Sequence, residues 1–368
     1  MKKLLVLLAD PLQVFYDKGE IKPRYYNPGN LFSEVHFVSP ARHEISVDRV
    51  QMLAGGAKMV VHPLGRGYGV SGWLPVGPLA AVMRSVSPDV IRAYDPGIRG
   101  CLAVRWGRRL GVPSVVSLHG DLPFRYLRET PWVWWLRSAM ARCVFRGADM
   151  TICVSRYLAG VARRYGARRI EVIYNRVDTT RLVSGDGRWA VEGGAPRRPV
   201  VLSVGRLVEP KDPECLVRAI QHVPVTLRLI GEGPLRARLQ RVAEECGVSD
   251  RVELVGAVSH ADIHQHYLGA DIFAIATRSE GFCIPVLEAM AAGLPVVASR
   301  LDSIEEVLGG SGDLVEHAPE AFAAAFARLV DDAALRRSMG EQGRARAMTL
   351  DGRLMEEQEV GLYRSLLS

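Results

Sequence analysis

Short apolar runs recur along the chain without the alternation expected of a half-exposed strand. In the first half they fall at Lys3–Ala9, Glu34–Ser39, Met59–His62, Asp89–Ala93, Ser114–Leu118, Met150–Val154 and Glu171–Tyr174. In the second they fall at Pro199–Val204, Thr226–Ile230, Arg251–Val255, Asp271–Ala276 and Pro295–Ala298. Runs that are apolar at successive positions suit strands covered on both faces, as in a parallel sheet whose crossover helices lie on each side. Between them Ile98–Leu110, Leu216–His222 and Leu235–Cys246 place apolar residues at helical spacing. The strand–helix–strand order holds twice, which predicts an α/β protein of two doubly wound, Rossmann-like domains.

A chain of 368 residues has room for two such domains. Residues 184–199 are dense in glycine and proline and lack periodicity, which marks a linker. The expected division is therefore 1–183, a linker 184–199, and 200–353. The closing helical stretch Leu354–Leu367 is free to pack on either domain, and 354–368 is a candidate to return to the first. No apolar run approaches the ~18 residues of a membrane span. The opening Leu4 to Ala9 is too short for a secretory leader and ends at Asp10-Pro11 without a cleavage site, so it reads as a buried strand in a cytoplasmic protein. The six cysteines are scattered with no metal-like spacing, and they read as buried free thiols in a reducing compartment.

Charge divides unevenly. Up to residue 190 there are 28 Lys and Arg against 14 Asp and Glu, and afterwards 19 against 26. A basic first half predicts an anionic partner: a nucleic acid, a membrane surface or a phosphorylated substrate.

Neither half carries GxGxxG after its first strand, which disfavours a nicotinamide or flavin enzyme. The strongest segment runs from Ala270 to Ala298 and parses as strand, loop, short helix, glycine stop and strand. Pro285 suits the first helical turn and Gly293 the left-handed position past the helix end. Glu280 then falls in the loop beyond a strand, with Glu288 early in the helix. Two carboxylates so spaced suit a polyhydroxylated ligand, accepting hydrogen bonds from its vicinal hydroxyls. The competing reading makes Glu280 a solvated loop residue and Glu288 a partner of the helix dipole. Farther back, Ser203-Val204-Gly205-Arg206 ends a strand, and Lys211-Asp212-Pro213 precedes a helix. Two cations beside a helix start form an anion site, although such a pair is also common on solvated faces. His119 follows a first-half strand and precedes Gly120, placing it either in a cleft or in a structural bond to backbone.

The stretch Glu280 to Ser299, EGFCIPVLEAMAAGLPVVAS, resembles the Glu–seven residues–Glu motif of retaining glycosyltransferases of family 4, which have the GT-B fold: two Rossmann-like domains facing across a cleft. The resemblance implies that Glu280 contacts the donor sugar and Glu288 the nucleotide ribose. Gly281, Phe282, Cys283 and Ile284 join the substrate-binding set. Arg206 and Lys211 resemble the family's diphosphate clamp beside Gly205, and His119 lies where the family orients the donor sugar. Val255-Gly256 to His260 resembles the segment that cups the base. Ala148 to Arg156, Gly231-Glu232-Gly233-Pro234 and Ile173 to Asp178 extend the match, the last with Arg176 in place of a glycine. That turn either loses its left-handed residue or strains Arg176. Many family members carry a Gly-Gly loop after the first strand. Here the segment from Tyr16 to Arg24 offers Gly19 alone among cations.

The resemblance implies sugar transfer from a nucleotide diphosphate sugar to a lipid-linked or glycan acceptor, in polysaccharide or glycolipid synthesis of the cell envelope. It implies no cofactor and no essential metal, and the chain offers no Asp-x-Asp cluster to hold one. An epimerase or hydrolase of nucleotide sugars on the same architecture, and a donor-binding subunit without catalysis, are the alternatives. Residues 131–146 read as a helix on which Trp132, Trp135 and Leu136 share a face and Arg142 and Arg146 lie four apart. This is an interfacial pattern, predicting peripheral contact with the inner face of a membrane. The competing reading is core packing with snorkelling arginines. No nucleic-acid module is present.

Overall fold

The computed structural model describes residues 2–17, 19, 21–120, 131–179, 182, 198–259 and 262–368. The chain divides into two compact units: Met1–Tyr174 with Arg353–Ser368, and Asn175–Gly352. Of the expected linker 184–199, only Arg198 and Pro199 lie within the described residues, and Lys18, Glu20, Asp121 and His260 lie outside them.

The first unit holds a parallel sheet of β1 (Lys3–Leu7), β2 (Glu34–Ser39), β3 (Lys58–Pro63), β4 (Val90–Ala93), β5 (Ser114–Leu118), β6 (Met150–Cys153) and β7 (Ile170–Val172), in the order β3-β2-β1-β4-β5-β6-β7. The unbroken apolar run of β1 has a direct cause in this position. Leu4 and Val6 point into a core shared with Phe37, Met355 and Tyr363, while Leu5 and Leu7 point into another shared with Leu102 and Trp106. A strand at the middle of a doubly covered sheet has no polar face to display. The helix Gly352–Leu367 covers one of these faces. Glu359 and Tyr363 on it take the guanidinium of Arg92 on β4, with Arg92 and Glu359 each only 4% exposed.

The second unit holds β8 (Val200–Val204), β9 (Thr226–Ile230), β10 (Val252–Gly256), β11 (Ile272–Ile275), β12 (Val296–Ser299) and β13 (Asp313–Val315), in the order β10-β9-β8-β11-β12-β13, again all parallel. β13 has no counterpart among the expected strands. It is a three-residue edge strand, half-buried throughout, and so carries no apolar run. Gly293 has φ +73° past the helix Ile284–Ala291, as its position requires. A Cβ on Gly340 would lie 2.2 Å from the Gly293 carbonyl oxygen, so the helix Ala333–Met348 crosses there backbone to backbone.

One expectation needs correction. The cysteines are not all buried: Cys143 is exposed and Cys246 intermediate, whereas the other four are buried. Of the two alternatives for the turn at Asn175–Asp178, the loss of its left-handed residue is the one seen, since among the described residues the non-glycine positions with positive φ are Arg24, Asn30, Ser87 and Asp212, not Arg176.

Candidate functional site

In each unit the strand order reverses once, between β1 and β4 and between β8 and β11. Neighbouring crossovers leave the sheet in opposite directions at such a point, so the carboxyl ends of the two strands open a crevice. In the second unit the chain places Gly205 and Arg206 directly after β8, and the segment from Thr277 to Ile284 directly after β11.

The two loops are tied together. The Pro210 carbonyl accepts bonds from the Arg278 backbone N–H (2.8 Å) and the Thr277 hydroxyl (3.0 Å). Across this clamp the Lys211 ammonium pairs with the Glu280 carboxylate. Glu280 has its own carbonyl fixed by the Ser303 hydroxyl at 2.8 Å. Arg206 is exposed, and a crevice of about 10 Å³ opens beside Gly205, Arg206 and Lys211. Nothing lies within 4 Å of where a Cβ on Gly205 would stand, so a ligand has open approach to that backbone.

Glycines set this rim from the other side. The Gly205 N–H bonds to the Ile230 carbonyl, and the Leu207 N–H to the Glu232 carbonyl, both at 2.9 Å. The Gly231 N–H in turn bonds to the Gly256 carbonyl at 2.8 Å. Gly231 has φ +136°, and a Cβ there would sit 2.0 Å from the Gly205 carbonyl oxygen. The loops after β8, β9 and β10 are thus stacked backbone on backbone, which brings Gly256 (φ +88°) to the same rim.

Gly281, Phe282 and Cys283 are buried and lead into the helix Ile284–Ala291. Burial pushes the Cys283 thiol far above its ordinary pKa, so it is a neutral packing group rather than a nucleophile. Glu288 sits on the second turn, 9% exposed, and accepts a 2.8 Å bond from the Tyr267 hydroxyl. Burial foremost, with Glu288 beside it, drives the Tyr267 pKa well up, which keeps that hydroxyl a donor. Tyr267 carries no sequence signal, because its partner lies 21 residues away. Asp212 precedes the helix Pro213–Ala219 as expected, yet its side chain makes no cap bond; its carboxylate turns to Arg278 and His317 instead.

His119 and Gly19 belong to the first unit. His119 follows β5, one strand beyond the reversal point, and its ring lies 5.4 Å from that of Tyr94, which follows β4. Gly19 has φ +67° and closes the turn after the helix Leu12–Asp17. Among the described residues no cluster of three metal-ligating side chains forms.

Each unit is thus a doubly wound α/β domain with a crevice at its reversal point, and in the second unit that crevice carries a cation and a carboxylate side by side. Residues 190–346 match the family model of group 1 glycosyl transferases, and residues 33–181 match that of glycosyltransferase family 4. The lipopolysaccharide core biosynthesis glycosyltransferase LpsE of Rhizobium meliloti is 33% identical over 77% of each chain. The sulfoquinovosyl transferase SQD2 of Arabidopsis thaliana is 28% identical over 60% of this chain, a match spanning 44% of that protein's length. Anabaena HepE, solved in complex with UDP and glucose, superposes with a TM-score of 0.79 at 20% identity, covering 99% of this chain and 100% of its own. The chain belongs to the group 1, family 4 glycosyltransferases, and its fold is GT-B.

Proposed function

We propose that the protein transfers a sugar from a nucleoside diphosphate sugar to an acceptor hydroxyl, with retention at the anomeric carbon. One observation carries this: Lys211 and Glu280, 69 residues apart in the chain, meet at the carboxyl ends of β8 and β11. In the reading, the donor diphosphate takes over the Lys211 ammonium, and Arg206 adds a second cation. Their charge stabilises the leaving diphosphate as the glycosidic bond breaks. Glu280, released from the ion pair, accepts hydrogen bonds from the sugar hydroxyls, and Glu288 accepts from the ribose while Tyr267 holds its other side. Gly205, Gly256 and Gly281 let backbone approach the donor, with Phe282, Cys283 and Ile284 lining its seat. His119 and Gly19 take substrate-contacting roles from the first unit. With the countercharge on side chains, the reading requires no divalent metal, and turnover is expected to survive a chelator.

The acceptor in this reading is a lipid-linked or glycan hydroxyl in envelope polysaccharide or glycolipid synthesis, reached from the inner face of a membrane. The name of the Rhizobium relative, a glycosyltransferase of lipopolysaccharide core biosynthesis, favours such an acceptor. So do Trp132 (67% exposed), Trp135 (64%) and Leu136 (44%) on the helix Pro131–Gly147. Among the described residues no helix is long and apolar enough to cross a membrane.

The test begins with a thermal-shift screen of nucleotide sugars, since a ligand that binds only the folded state raises its stability. Turnover of the best donor is then compared between the wild type and Lys211→Ala. The expected result is a loss of about a hundredfold or more with the fold retained. Unchanged turnover removes the clamp from the mechanism, and product release without an acceptor favours a hydrolase.

A further inference from the structure

Asp212 has φ +34° and ψ 58°, a left-handed conformation that a residue bearing a Cβ keeps only when its surroundings hold it. The holding groups come from three successive strand ends. Arg278, after β11, donates to the Asp212 carboxylate at 2.5 Å. His317, after β13, brings Nε2 to the same carboxylate oxygen at 2.8 Å. Its other ring nitrogen, Nδ1, lies 3.0 Å from the hydroxyl of Ser299, the last residue of β12, which is 1% exposed. In the tautomer whose Nε2–H donates to the carboxylate, Nδ1 accepts a hydrogen bond from the Ser299 hydroxyl.

The residue between these anchors is Lys211. On its one side the Pro210 carbonyl is clamped by Thr277 and Arg278, and on its other Asp212 is held at its carboxylate. Anchoring both neighbours leaves Lys211 little but its side-chain torsions, and directs the ammonium toward Glu280. An anion held by a preformed cation meets less reorganisation than one held by a mobile loop.

We infer that Asp212 and His317 are positioning residues for the Lys211 cation, the Ser299–His317–Asp212 chain holding the strained turn that aims it. This rests on the reading that Lys211 meets the donor diphosphate. A network that serves only the fold predicts a different result, so the two separate by experiment. UDP, GDP and ADP are titrated by calorimetry into the full chain as wild type, His317→Ala, His317→Gln, Lys211→Ala and the Lys211→Ala/His317→Ala double variant, each checked by thermal denaturation.

The expected result is that one diphosphate binds the wild type and that His317→Ala weakens it about three- to tenfold. His317→Gln, which keeps an N–H for Asp212, recovers most of that loss, and His317→Ala adds nothing once Lys211 is alanine. Equal weakening in both backgrounds, or wild-type binding by His317→Ala, overturns the inference and leaves the donor site standing. Binding of none of the three by the wild type overturns both. If His317→Ala does not fold, Asp212→Gly carries the same comparison, because glycine accepts the turn without strain while the anchor is lost. Wild-type binding by that variant is the overturning result.

Discussion

At the scale of the residue, the candidate site depends on positions where a side chain is absent as much as on those where one is present. Gly231 shows this most sharply, because two constraints coincide there: a φ of +136° and the Gly205 carbonyl 2.0 Å from the place of a Cβ. Gly310 has only the first, with φ +87° and nothing within 4 Å. Gly231→Ala is therefore expected to destabilise the second unit by about 3 kcal/mol or more, and Gly310→Ala by about 1 kcal/mol. Urea denaturation of the two variants checks this, and equal losses would deny the loop stack its role. Lys211, Glu280, Arg206 and the flanking glycines were legible in the chain because each sits at a fixed offset from a strand end. Tyr267 and His317 were not, since what they do is defined by partners 21 and 105 residues away.

At the scale of the element, apolar runs identified nearly every strand because a parallel sheet covered on both faces makes burial continuous along each one. Where that physics lapses, so does the signal, as in the half-buried edge strand β13. The destination of the helix Gly352–Leu367 was likewise open, since its apolar stripe suits any partner. In the structure Met355 and Leu362 pack into the core of the first unit, and Glu359 and Tyr363 meet the buried Arg92 on β4. Glu359→Ala leaves that guanidinium charge without its carboxylate in the interior and is expected to cost about 3–5 kcal/mol. Replacing Arg92 by Met and Glu359 by Leu together is expected to restore much of the loss, because no charge is then left uncompensated. Denaturation midpoints of the two variants are the measurement, and a double variant no better than Glu359→Ala would show that the pair acts by packing alone.

At the scale of the whole molecule, charge separates the two units. The first holds 27 Lys and Arg against 15 Asp and Glu, and the second 20 against 25. Joined to the exposed Trp132, Trp134 and Trp135, the basic unit is expected to bind vesicles containing anionic lipid and to leave them as salt rises. Trp132→Ala with Trp135→Ala is expected to weaken sedimentation with such vesicles severalfold. Equal recovery with neutral vesicles would end the electrostatic part of that reading. The chain by itself determined two doubly wound units, their family and the cationic and acidic residues of the candidate site. Burial on both faces of a strand, and the offset of a loop residue from that strand, are local properties written in order along the sequence. Only the tertiary structure decided that Lys211 pairs with Glu280, that Asp212 is held by Arg278 and His317, and that the last helix closes over Arg92. Each is a meeting of polar groups from distant segments, and such a meeting follows from how strands are ordered in the sheet rather than from any spacing in the chain.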